Sequence, residues 1–139
     1  PCLVPEGTVL ARWLAEGRYA PWSLDQTVAV LGRALCRSWQ ENIPVIRLSV
    51  APEPAFDAAV LAGPRHPALG ALIQAEALLC AVQDAAAALG RPPSSLVLPR
   101  SCQGFIYGER GALKPRWAAL GLTPERILFK DVEQAELQG

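Results

Sequence analysis

The sequence contains no methionine and only one histidine, His66, in 139 residues. A single histidine excludes histidine-rich zinc catalysis, and it excludes any Ser/His/Asp or Cys/His nucleophile that does not use residue 66. Cysteine is scarce and scattered. Cys2, Cys36, Cys80 and Cys102 are too far apart for metal-ligand spacing or a dense disulfide framework, so reduced, mostly buried thiols in a cytoplasmic protein are expected and no metal site is read from them. No basic region followed by an apolar stretch opens the chain, and no apolar run is read as approaching the roughly 20 residues of a membrane span, so no membrane partner is expected. The glycine-bearing stretch from Gly104 to Gly111 lacks the lysine of a phosphate loop, which leaves nucleotide binding with little support.

Net charge is lacking as well: 13 basic side chains stand against 13 acidic ones. The balance is an average over unlike segments. Residues 91–130 carry Arg91, Arg100, Arg110, Lys114, Arg116, Arg126 and Lys130 against Glu109 and Glu125, a net +5, and the closing segment 131–139 carries three acids. With 51% hydrophobic residues, intrinsic disorder is excluded. A chain of this length buries roughly 70% of the surface its unfolded form exposes, enough for a core without disulfide or metal.

What is present reads as a single α/β domain over residues 1–139, with a sub-boundary at the proline-rich loop 51–67. Cys2 to Pro5 is a short apolar strand, followed by a helix bearing Leu10, Trp13 and Leu14 and ended by Gly17. Ser23 with Gln26 forms a capping-box pattern, and Leu24, Val28, Leu31, Leu35 and Trp39 recur at helical spacing behind it. Asn42 and Pro44 stop that helix, and Val45 to Val50 reads as a buried strand. Four prolines and Gly63 make 51–67 an irregular loop. A long helix is expected over 67–89 with Gly90 as terminator, then a strand over 95–98, a helix starting near Lys114, and a last strand over 126–130. About four short, mainly parallel strands thus alternate with four helices.

Several residues stand out chemically. His66, between Pro64 and Pro67, reads either as a helix cap or as a ring meeting an anionic ligand. Arg47, inside an apolar strand, needs a carboxylate, phosphate or ligand, unless it sits at a strand end that reaches solvent. Cys102 lies beside basic Arg100 and is the cysteine expected to be reactive; the other three read as core fillers. Arg110, Lys114 and Arg116, interleaved with Phe105, Tyr107 and Trp117, have the composition of a polyanion or RNA surface. The competing reading is a solvated face paired with the acidic tail.

The pieces also occur in a recognisable order. Pro1 to Thr8, Glu16 to Pro21, Ile43 to Leu48 and Ala62 to Gly70, which contains Gly63-Pro64-Arg65-His66-Pro67, resemble the carboxy-terminal part of a bacterial radical SAM family. That family is similar to the Elongator catalytic subunit and is often labelled oxygen-independent coproporphyrinogen III oxidase-like. The resemblance is close from residue 1 to about 70 and looser from about 95 to 131. It implies the last units of a partial (β/α) barrel plus a small carboxy-terminal α/β segment. It also implies a parent enzyme that uses S-adenosylmethionine and a [4Fe-4S] cluster on a C-x-x-x-C-x-x-C motif. That motif is absent here, so the chain is expected to be an excised substrate-side or structural segment, without cofactor and not catalytic alone. By the resemblance, Arg47, Arg65 and His66 would face the ligand at the carboxyl end of the sheet. The partners implied are the rest of the parent chain and, through the basic block, an RNA or protein.

Overall fold

The computed structural model describes residues 2–49 and 53–139; Pro1, together with Val50 of the expected second strand and Ala51 and Pro52 of the expected loop, lies outside the described residues. Strand β1 (Val4–Pro5) leads into helix α1 (Val9–Ala15), whose start is capped by the Thr8 hydroxyl accepting from the Ala11 N–H at 3.1 Å. The predicted cap of α2 (Leu24–Gln40) forms in the same way, with the Ser23 Oγ accepting from the Gln26 N–H at 3.1 Å. Thr27, Gly32, Leu35 and Cys36 are its buried residues, while Trp39, on the same face but next to the helix end, is 43% exposed.

Residues 45–49 form no strand, which corrects the expected buried strand. A strand without a neighbour leaves its backbone donors and acceptors unpaired, so apolar composition alone does not make one. Ile46 is fully exposed here. The loop expected over 51–67 is also corrected: it holds helix α3 (Pro54–Ala59) and strand β2 (Val60–Ala62), which pairs antiparallel with β1. Pro54 occupies the first turn of α3, where its missing N–H costs nothing. Gly63 follows β2 at φ 118°, and a Cβ there would lie 2.8 Å from the Cys2 carbonyl oxygen. Glycine is what allows the two backbones to approach so closely.

Helix α4 (Leu69–Leu89) ends at Gly90 in the left-handed conformation, as expected. It is the shared element of two cores. On one side Ile73 and Ala77 pack with Leu35 and Cys36 of α2; on the other Leu78, Leu79 and Val82 pack with Leu96, Leu98, Ile106, Trp117, Leu122 and Ile127. With 21 residues α4 is long and apolar enough to cross a bilayer by length and composition, which corrects the statement that no apolar run approaches that length. It carries Glu76 and Asp84 and supplies the middle of both cores.

Strand β3 (Ser95–Pro99) is the centre of a three-stranded sheet, parallel to β4 (Ile127–Lys130) and antiparallel to β5 (Glu136–Gln138). Helix α5 (Lys114–Ala119) crosses between β3 and β4 and begins at Lys114, as Pro115 requires. Among the described residues the fold is therefore mixed α/β, with five helices and sheets of two and three strands, and β3–β4 is its parallel pair. The mainly parallel alternation expected from the sequence is corrected at β1–β2 and β3–β5.

Candidate functional site

A cleft of about 510 Å³ opens between α2, α4 and the Gly108 to Arg116 segment. Its apolar lining comes from Leu24, Val28, Leu72 and Leu113, and its rim from Asp25, Glu76, Glu109, Arg110 and Arg116. The position of Glu76 is set by helix packing. A Cβ built on Gly32 of α2 would lie 2.6 Å from the Glu76 Cβ, so the absence of a side chain at 32 brings α4 close. Arg116, two residues into α5, then clasps the Glu76 carboxylate with both terminal nitrogens, at 2.5 and 2.8 Å. Bidentate geometry of this kind gives the stronger class of charged hydrogen bond. The carboxylate in turn raises the Arg116 pKa above its ordinary value.

The opposite wall is held by His66. Its Nδ1 accepts from the Ala68 N–H at 3.1 Å, in the turn that precedes α4, and its Nε2 lies 3.3 Å from Glu109 Oε2. With Nδ1 accepting, the proton of the neutral ring is on Nε2 and points at the carboxylate. His66 thus ties the Gly63 to Pro67 loop to the Glu109 to Gly111 turn, where Arg110 adopts a positive φ of 50°.

The sequence-predicted residues fall in three places. Arg47 is exposed on the segment after α2. Arg65 donates to the Asp57 backbone carbonyl at 2.7 Å and pairs with the Asp57 carboxylate at 3.2 Å, which pins α3. His66 makes the turn contact to Ala68 just described and reaches the cleft rim through Glu109. Of the basic trio, Arg110 and Arg116 line the cleft, while the Lys114 ammonium lies 5.5 Å from the Tyr107 ring centroid. Three carboxylates share the cleft with those two guanidiniums, so its charge is mixed rather than basic. Arg100 pairs with Asp131 of the tail at 3.4 Å.

Cys102 is half-buried, and burial raises its thiol pKa above 9.0; this is the opposite of the activation expected beside Arg100. Cys36 and Cys80, distant in sequence, face each other across α2 and α4. Sequence reasoning missed Glu76, Asp84 and Gln40. Their signal is the four-residue spacing from Glu76 to Cys80 to Asp84 and from Cys36 to Gln40, which becomes informative once the helix faces are known to meet.

Among known proteins, residues 1–78 match the family described as Radical_SAM C-terminal domain. No curated protein and no solved structure matches.

Proposed function

Since the chain belongs to the radical SAM C-terminal domain family, we propose that it serves as the substrate-side, carboxy-terminal part of a radical SAM enzyme. The carrying observation is the family match over residues 1–78, which runs from β1 into the middle of α4. A second feature supports it. Ile43, Val45 and Ile46 are 56%, 42% and 100% exposed in one run. Such a contiguous apolar patch is what an interaction surface leaves behind when its neighbour is missing. In this reading the 43–48 segment lies against the radical-forming part of the enzyme, and adjacent Arg47 is carried towards the substrate.

The family implies S-adenosylmethionine and a [4Fe-4S] cluster in the enzyme. The cysteines of this chain do not fit such a cluster: Cys36 and Cys80 meet only Asp84, and neither Cys2 nor Cys102 joins them in the described group. Three cysteines from elsewhere would have to hold the cluster. The finer affiliation with Elongator-like or coproporphyrinogen III oxidase-like proteins rests on the ordered sequence pieces. Within this chain Gly63 provides the close approach to Cys2 and Leu3, and His66 the bond to the Ala68 N–H ahead of α4.

The test is Ile46→Asp in the enzyme that contains this chain, with S-adenosylmethionine cleavage and thermal midpoint both measured. Ile46 is fully exposed, so the midpoint of this chain by itself should not move, whereas cleavage in the enzyme should fall about tenfold. Unchanged cleavage would overturn the proposal.

A further inference from the structure

The α2–α4 interface brings together side chains that the family reading does not use. Cys36 and Gln40 stand one turn apart on α2, and Cys80 and Asp84 stand one turn apart on α4. Both pairs have i, i+4 spacing, so each presents two side chains on one helix face, and the two faces meet. The sulfurs of Cys36 and Cys80 and a carboxylate oxygen of Asp84 all lie within 4.8 Å of one another. Between them sits the Gln40 amide nitrogen, which donates to Asp84 Oδ2 at 2.9 Å and to Cys36 Sγ at 3.7 Å.

We propose that Cys36, Cys80 and Asp84, completed by Gln40, bind one thiophilic divalent cation of the zinc class. Two sulfurs and a carboxylate are the donor set such an ion selects over hard, oxygen-loving cations. With Zn–S bonds of about 2.3 Å, two sulfurs of a tetrahedral site stand about 3.8 Å apart, so sulfurs that lie within 4.8 Å of each other need to close by no more than about 1 Å. The Gln40 amide nitrogen already does in part what a cation would do, presenting positive character to a sulfur and a carboxylate together. Turned by half a rotation about its terminal bond, the same amide offers its oxygen as the fourth ligand.

The surroundings agree with this. Two thiols and one carboxylate are gathered between α2 and α4, with their ligand atoms all within 4.8 Å of one another. Arg116, whose charge reaches Cys80, is engaged by Glu76. Burial also differs along the group: Cys36 is 2% exposed, Cys80 is half-buried and Asp84 is exposed. An ion can therefore enter from the Asp84 side and meet the buried sulfur last.

The test uses the full chain with Cys2 and Cys102 changed to Ser, kept reduced, and titrated with Co(II) and then Zn(II) alone. One Co(II) per chain should bind and give a thiolate-to-metal charge-transfer absorption that Zn(II) abolishes. Asp84→Asn and Cys80→Ser should each weaken binding about 100-fold. Asp84 is exposed, so its variant keeps the fold even if a change at Cys36 does not. Absence of the absorption, or affinity in either variant equal to that of the chain keeping Cys36, Cys80 and Asp84, would overturn the proposal. So would a chain that forms a Cys36–Cys80 disulfide in air but binds no metal once reduced.

Discussion

At the scale of single residues, the chemistry of Cys102 illustrates how surroundings outweigh sequence neighbours. Arg100 stands two positions away, yet it pairs with Asp131, and burial dominates the thiol. In the unfolded chain the thiol ionises near 9.0, whereas in the folded chain it keeps its proton to higher pH. Above pH 9 the unfolded state therefore binds fewer protons, and stability falls as pH rises until the folded value is passed. Thermal midpoints measured between about pH 8 and pH 10 should drop less steeply in Cys102→Ala than in the parent sequence. At pH 8 iodoacetamide should modify exposed Cys2 well before Cys102. Thr27 presents a different residue-scale feature: its hydroxyl is fully buried without a hydrogen-bond partner. That is a cost the fold carries in order to keep this part of α2 against its neighbours.

At the scale of elements, the α2–α4 pair shows what single-sequence patterns can and cannot supply. The Ser23 cap, the Gly90 terminator and the Lys114 start of α5 are local events, set by side chains within a few residues, and all three were legible. The strand expected over Val45 to Val50 does not form over the described residues 45–49, because pairing depends on a partner that composition does not reveal. Strand β5 was missed for the complementary reason: Glu136–Gln138 is polar and short, and it is a strand because β3 offers it an edge. The candidate site follows the same division. His66 bonds the Ala68 N–H within its own turn, a local contact, whereas the Glu76–Arg116 clasp depends on Gly32, whose role appears only when the helices are docked. Gly32→Ala should cost about 1–3 kcal/mol by overpacking, since the Cβ of Glu76 is fixed to its helix and the axes must separate. Urea unfolding would read the loss. The Arg116 contact should loosen in the same variant.

At the scale of the whole molecule, α4 decides how the parts cooperate. Leu79 is fully buried on the side of the three-stranded sheet, and Ile73 and Ala77 on the side of α2, so neither core persists without this helix. Leu79→Ala should cost about 2–5 kcal/mol. It should also lower the midpoint of both cores together, as one calorimetric transition with equal van't Hoff and calorimetric enthalpies. Two separated transitions would show that the cores fold apart. The same helix bears on inheritance. The family match ends at residue 78, in the middle of α4, and the α2-side core draws on both sides of that point, with Ile73 and Ala77 before it and Cys80 and Ala81 after it. A gene fusion or exchange cut there would sever the helix from half of its partners. The segment after residue 78 can therefore be swapped between lineages only as a cassette that brings the whole of α4 with it.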